Sequence, residues 1–284
     1  MLSKREKFYR AAERLGGLRC PRCGGALARA GEDFLCAAGH RVNMGRKGCL
    51  NFLSAPVGGC YDAALFAARR RVFAAGCYDE VARALGELLP PGEHRLLDAG
   101  CGDGWYLNAL LAAHPAWCGA GVDISRDAVA QATDQPCEAV WCVADLRRLP
   151  FSDGAFTAVL DVLTPASYEE FGRVLASGGV LVKVYPGEGY LREIRRARGM
   201  AAYAEGQVEA YLREKTRLLA RRRVVKACPV DAALWGDFVW MTPLNQDLSP
   251  KEKEALASRP ADTVTVDLHV AMVSLEGQGK GRRG

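Results

Sequence analysis

Cys20, Cys23, Cys36 and His40 are spaced C-x2-C-x12-C-x3-H near the start of the chain. Zinc prefers four nitrogen or sulfur ligands in a tetrahedron, and ligands paired two or three residues apart on a tight turn reach one ion. The stretch "CPRCGG" suits such a turn, because Pro21 fixes φ while Gly24 and Gly25 tolerate positive φ. A segment this short builds no hydrophobic core, so bound metal would supply its folding energy. Four protein ligands leave no open position, which makes the expected zinc structural. Iron fits the same cage, but the histidine and a reducing compartment favour zinc.

A second constellation lies in "LLDAGCGDGWY", Leu96 to Tyr106. Gly100, Gly102 and Gly104 form G-x-G-x-G between a strand-like run and a helix-like run, where glycine lets backbone approach a ligand closely. A dinucleotide fingerprint would place its third glycine where Trp105 stands. Charge points the same way. Asp98 and Asp103 flank the turn and would repel a diphosphate, whereas they favour the ammonium and sulfonium of S-adenosylmethionine. The next strand ends at Asp123, placed to accept both ribose hydroxyls. The third ends at Asp145 in "VADLRRLPF", placed to accept from the adenine amino group. Each aspartate could instead cap the helix that follows; the three in order favour the cofactor.

These residues need a sheet to hold them. "RLLDAG", "CGAGVDI", "AVWCVAD", "FTAVLDVL" and "GGVLVKVY" read as strands, "WYLNALLAAH" as a helix, and "SRDAVAQAT" as a helix capped by Ser125. Such alternation implies βαβ units and a parallel sheet covered on both faces. The expected fold is therefore α/β: a Rossmann-like, class I SAM-dependent methyltransferase sheet with a small N-terminal zinc-ribbon-like domain. "RRVVKACPV" and "DTVTVDLHVAMVSLE" add strands at one edge. The divisions are an N-terminal extension (1–19), a zinc-binding module (20–53), a helical linker (54–92), the methyltransferase domain (93–276) and a basic tail (277–284). Residues 190–226 read as a helix-rich insertion. In it Arg192, Arg195, Arg196 and Arg198 form either a phosphate contact or a charged face packed by Leu191 and Ile194.

The 284 residues carry a net charge of +5, unevenly spread. Residues 1–60 hold 11 Lys/Arg against 4 Asp/Glu, and residues 190–226 repeat that ratio, so two basic regions flank a mildly acidic middle. Polyanion binding and solvated helix faces are equally open on charge alone. No apolar run reaches the roughly 18 residues a membrane span requires. The charged N-terminus lacks a signal-type apolar core, so the expected location is cytoplasmic. Most of the 11 cysteines should then be reduced, those in "WCGAGV" and "AVWCVAD" serving as small core residues.

With these motifs in place the chain resembles the bacterial guanine-N1 methyltransferases that modify a hairpin loop of large-subunit (23S) ribosomal RNA. The resemblance runs from Cys20 through "HRVNMGRKGCLNFL", the linker "YDAALFAARRRVFAAGCYDEV" with Arg69–Arg70 and Tyr78, the cofactor motifs, and "WMTP" at Trp240. It implies that Tyr78, Gly102 and Asp103 touch the cofactor, and that Tyr190 in "YPGEGYL" stands where the family has a histidine contact. It also marks Asp161 and Leu163 in "DVLTPAS" as departures, and residues 1–19 as having no family counterpart.

Guanine N1 carries a proton at neutral pH, so a nearby base or acceptor would assist its methylation. Asp161, ending the fourth expected strand, is placed for that role, or for a turn or substrate hydrogen bond without proton transfer. The metal module, with Arg19, Arg22, Arg29, Arg41, Arg46 and Lys47, would present a rigid positive surface to ribosomal RNA. A small-molecule methyltransferase and a non-catalytic RNA-binding relative remain alternatives. The linker of residues 54–77 sets either an interdomain hinge or a subunit contact, which leaves a homodimer open.

Overall fold

The computed structural model describes residues 2–55, 63–201, 203 and 206–275. The expected basic tail and residues 56–62 of the expected linker lie outside them.

Helix α1 (Lys4–Leu15) opens on a capping box in which Ser3 accepts from the Glu6 amide and Glu6 accepts from the Ser3 amide. Its apolar residues Phe8, Tyr9, Ala11 and Leu15 are buried. The Phe8 ring meets Phe34 edge-on at 5.8 Å, and the Tyr9 hydroxyl donates to the Glu32 carbonyl at 2.7 Å. From the far side Arg14 donates to the Ala116 and Trp117 carbonyls at 3.1 and 3.2 Å. The residues expected to be an extension are thus a wedge between two sheets, because four large or small apolar side chains on one helix face need a core to bury them.

The first sheet is small and antiparallel, made of β1 (Leu27–Ala30), β2 (Asp33–Cys36) and β3 (Arg41–Val42). Strand β4 (Leu50–Asn51) leaves the metal segment and joins the large sheet. Helices α2 (Ala63–Ala74) and α3 (Asp79–Leu88) follow. Strands and helices then alternate as β5 (Arg95–Ala99), α4 (Trp105–Ala113), β6 (Cys118–Asp123), α5 (Arg126–Ala132), β7 (Val140–Val143), β8 (Phe156–Val162), α6 (Tyr168–Val174) and β9 (Leu175–Pro186). After α7 (Arg192–Ala197) and α8 (Gln207–Lys215) come β10 (Arg217–Pro229), α9 (Ala232–Met241), α10 (Pro250–Ala257) and β11 (Thr263–Ser274).

The large sheet has eight strands in the order β10-β11-β9-β8-β5-β6-β7-β4. Pairing is parallel from β4 through β9 and antiparallel for β11 and β10. This is the expected Rossmann-like class I architecture. Strand order reverses between β5 and β8, and the crevice beyond their C-terminal ends is where such sheets bind ligands. Close packing under that crevice depends on missing side chains. A Cβ at Gly121 or Gly104 would lie 2.3 or 2.5 Å from the Trp141 ring.

Two expectations change. The helix-rich reading of residues 190–226 holds for α7 and α8 but fails from Arg217, where β10 pairs with β11 along its whole length. Leu, Arg and Lys favour helix locally, and ladder pairing with β11 overrides them. Among the cysteines, Cys118 and Cys142 are buried in strands as expected, whereas Cys77 and Cys228 form a disulfide with Cα atoms 5.6 Å apart.

Phe8 is wholly buried. Replacing it with alanine should cost about 3–5 kcal/mol, read as a lower urea midpoint. An unchanged midpoint would show that α1 is peripheral to the fold.

Candidate functional site

Asp98 precedes the last residue of β5, and the chain then turns through Gly100, Gly102 and Gly104, all at positive φ, into α4. At the tip of β6 the Asp123 carboxylate accepts from the Gly102 amide at 2.9 Å and the Ser125 amide at 2.8 Å. It therefore fastens the glycine turn to the start of α5, whose N-cap is Ser125 as expected. Asp145 follows β7 and is chelated by Arg147, with Nε at 3.1 Å and Nη2 at 2.7 Å.

These strand ends wall a cavity of about 460 Å³. Asp98, Gly100, Asp103, Asp123 and Asp145 face it from the sheet. Helix α2 contributes Phe66, Arg69 and Phe73, and α4 contributes Tyr106. The hydroxyls of Tyr78 and Tyr190 meet there at 3.0 Å. The remaining wall is Val162 to Ser167, from the last residue of β8 onward, and Met241 to Pro243, from the last residue of α9 onward. Of the residues expected at the cofactor, Gly102 and Gly104 do not line the cavity. They shape it through backbone, Gly102 by its amide and Gly104 by making room for Trp141.

Burial dominates the electrostatics. Asp98 is 1% exposed, and desolvation, then the charges of Asp123 and Asp103, push its carboxyl up to about 7. Desolvation also raises Asp103 and Asp123, against the pull of Arg69 on both. Asp145 goes the other way, lowered by its hydrogen bonds from Arg147. The Oδ2 atoms of Asp98 and Asp103 are buried without a hydrogen-bond partner. Two orphaned, desolvated carboxylate oxygens on a cavity wall call for a cationic ligand group. The ammonium of S-adenosylmethionine fits that demand, and a diphosphate would worsen it.

Asp161 does not line the cavity. Its side chain is wholly buried and takes a hydrogen bond from Lys183 Nζ at 2.8 Å, across the β8–β9 pairing in which the two residues are register partners. Burial raises its carboxyl to about 6 against the attraction of Lys183. The same ammonium donates to the Thr164 carbonyl in the cavity wall. Asp161, expected as a base, a turn residue or a substrate hydrogen-bonding group, therefore sits behind the wall and is linked to it through Lys183.

The four expected metal ligands converge. His40 Nδ1 lies 3.5 Å from both Cys20 Sγ and Cys36 Sγ, and Cys23 Sγ lies 3.6 Å from Cys36 Sγ. All four ligand atoms fall within 4.8 Å of one another. A tetrahedron with zinc–sulfur bonds of about 2.3 Å has edges of roughly 3.8 Å, so the cluster has the size zinc requires. This module touches the segment that directly follows the cavity residue Arg147. Arg148 Nη2 donates to the Pro21 carbonyl at 2.6 Å, and the Arg19 amide donates to the Pro150 carbonyl at 2.9 Å.

Sequence reasoning did not assign Phe66, Phe73, Tyr106 or Arg147 to the site. Arg147 sits two residues after Asp145 and could have been found as its partner. Tyr106 follows the glycine turn directly and could have been found from it, whereas Phe66 and Phe73 carry no local signal, because the long-range packing of α2 against the glycine turn brings them in.

A family profile described as a methyltransferase domain matches residues 96–179. A Bacillus subtilis (strain 168) protein provisionally named 23S rRNA (guanine-N(1)-)-methyltransferase is 35% identical over 278 aligned residues, covering 89% of this chain and 96% of that protein. The 23S rRNA (guanine(748)-N(1))-methyltransferase of Streptomyces fradiae is 29% identical, covering 86% of this chain and 90% of its own. Among solved structures, a SAM-dependent methyltransferase from Geobacter sulfurreducens in complex with S-adenosyl-L-homocysteine superposes with a TM-score of 0.44 at 18% identity, covering 72% of this chain and 97% of its own.

Two outcomes follow from the geometry. The purified chain should carry one zinc ion that Cys20→Ser removes and Cys49→Ser retains, as metal analysis of the two variants will show. Affinity for S-adenosylmethionine should fall as pH drops through about 7, because a protonated Asp98 loses its charge toward the ammonium. The raised carboxyl also makes the empty chain more stable in acid, a contribution lost as pH rises through about 7. Asp98→Asn should flatten both profiles in calorimetric titration and thermal melts; profiles as steep as wild type would assign the titration to another group.

Proposed function

The chain belongs to the family of 23S rRNA guanine-N1 methyltransferases, and on that premise we propose that it transfers the methyl group of S-adenosylmethionine to N1 of a guanine in a hairpin loop of large-subunit ribosomal RNA. The observation that carries the RNA part of this reading is the junction of Arg148 with Pro21, which sets the metal knuckle beside the cavity mouth. Arg22, Arg46 and Lys47 of the metal module and Arg147 at the rim are all exposed. Exposed cations on the metal module and at the cavity rim suit a large polyanion, whereas a small metabolite needs no such surface.

The reaction forms a bond between guanine N1 and the methyl carbon as the methyl–sulfur bond breaks, its electron pair stays on sulfur in S-adenosylhomocysteine, and the N1 proton passes to solvent. The cofactor supplies the electrophilic methyl on its sulfonium. Asp98 and Asp103 would hold the ammonium, Asp123 the ribose hydroxyls and Asp145 the adenine amino group, while Tyr78 and Tyr190 close the methionine end. The guanine would enter against Val162 to Ser167 and Met241 to Pro243. Lys183 supports that wall by its bond to the Thr164 carbonyl. Its rigidity matters because displacement requires the two reacting atoms held in line at about 3 Å. Bases in RNA loops are already partly unstacked, which lowers the cost of drawing one into the cavity.

Among the described residues no helix is long and apolar enough to cross a membrane. We place the protein in the cytoplasm with its RNA.

Incubation with methyl-labelled cofactor and unmodified large-subunit ribosomal RNA, followed by nucleoside analysis, should yield labelled N1-methylguanosine. RNA affinity should fall steeply with salt. Label confined to other nucleosides would refute the substrate assignment.

A further inference from the structure

Three consecutive arginines on α2 meet three different fates. Successive helical side chains point about 100° apart. Arg70 donates to the Gln131 carbonyl at 3.3 Å, and Arg71 grips the Asp237 carboxylate with bonds of 2.8 and 2.6 Å. Arg69 shares the cavity face with Phe66 and Phe73, one turn to either side. Its Nη1 lies 3.2 Å from where a Cβ would stand on Gly102, which sets the guanidinium over the glycine turn. Among the described residues no carboxylate lies within 4.0 Å of it in an ion pair, although Asp103 and Asp123 both feel its charge. The cavity's other arginine, Arg147, is committed to Asp145.

S-adenosylmethionine brings an anion as well as two cations. Its α-carboxylate, entering a cavity walled by four aspartates, needs a counter-charge at the methionine end. We propose that Arg69 binds that carboxylate, so that it forms the anion-binding half of a zwitterion site whose cation-binding half is Asp98 with Asp103. The proposal rests on the cofactor reading above and adds a binding residue to it. Arginine suits the task because its planar fork matches a carboxylate with two parallel hydrogen bonds. It also explains why a cation is retained over the turn without an acidic ion-pair partner among the described residues: such a partner would compete with the ligand.

Decarboxylated S-adenosylmethionine keeps the ammonium, sulfonium and adenosine and lacks only the carboxylate. Calorimetric titration of the full chain and its Arg69→Met variant with both ligands therefore isolates the contact. Wild type should prefer S-adenosylmethionine by about 10- to 100-fold, the range for a hydrogen-bonded charge pair. Arg69→Met should lose that preference, with affinity for the decarboxylated ligand changed less than about threefold. Arg69→Lys should recover part of the preference. Equal losses for both ligands would overturn the proposal, pointing to a damaged site. Unchanged cofactor binding with weakened RNA binding would also overturn it, assigning Arg69 to phosphate. Failure of wild type to bind either ligand would overturn the cofactor reading itself, an outcome separate from the others.

Discussion

Asp98, Asp103 and Asp123 are drawn out of water around one cavity, and two of their oxygens have no hydrogen-bond partner. Desolvation and mutual repulsion oppose this arrangement, so the protein must impose it. Parallel strands do so by ending side by side: β5 delivers Asp98 and the turn to Asp103, and β6 delivers Asp123. The backbone amides of Gly102 and Ser125 hold Asp123 in place. What results is a site whose free energy improves when a cation arrives. Selectivity for a sulfonium and ammonium over a diphosphate thus follows from the sheet's topology together with three residue types.

The same constraint explains why the metal module is built into the enzyme. Strand β4 pairs with β7, the strand that leads to Asp145. Leu18 bridges Phe151 and Arg148 reaches Pro21, so the loop carrying Asp145 and Arg147 is bounded by the metal segment on its outer side. Helix α1 closes the remaining gap by burying Phe8 and Tyr9 against Phe34. The metal segment and the cavity wall at Asp145 to Arg147 thus meet on one loop.

Residues tied to strand ends and turns were legible in the sequence. The metal spacing, the glycine turn, Asp98, Asp123, Asp145 and the Ser125 cap all carry local signals, because neighbouring residues alone dictate their geometry. The strands of the parallel sheet were legible for the same reason, as runs of β-branched and apolar residues. What stayed hidden depends on distant partners. Arg217 to Arg221 read as helix until β11 claims them. Residues 1–19 read as an appendage until Phe34 meets Phe8. Asp161 ended a strand at the right edge, yet strand alternation and Lys183 turn it away from the cavity. No local pattern distinguishes Arg69 from Arg70 and Arg71; only the azimuth of α2 over the turn does.

The Asp161–Lys183 pair shows what a buried ion pair does for the shape of a site. Its desolvation is unfavourable, and an apolar pair of similar volume would pack at least as well. An apolar side chain could not, however, hold the Thr164 carbonyl. Immediately before it Leu163 sits at φ +55°, a left-handed conformation that costs a leucine on the order of 1 kcal/mol. Its amide donates to the Val184 carbonyl at 3.1 Å, next to Lys183 in β9. A carbonyl held by Lys183 and an amide held by Val184 fix both ends of the strained peptide, so the wall from Val162 to Ser167 keeps its shape with the cavity empty. Thr164 in turn occupies the space a side chain on Gly100 would need, its Oγ1 2.4 Å from that Cβ position. The acceptor wall and the cofactor turn are therefore one packed unit, in which glycine at position 100 is required by the threonine that faces it.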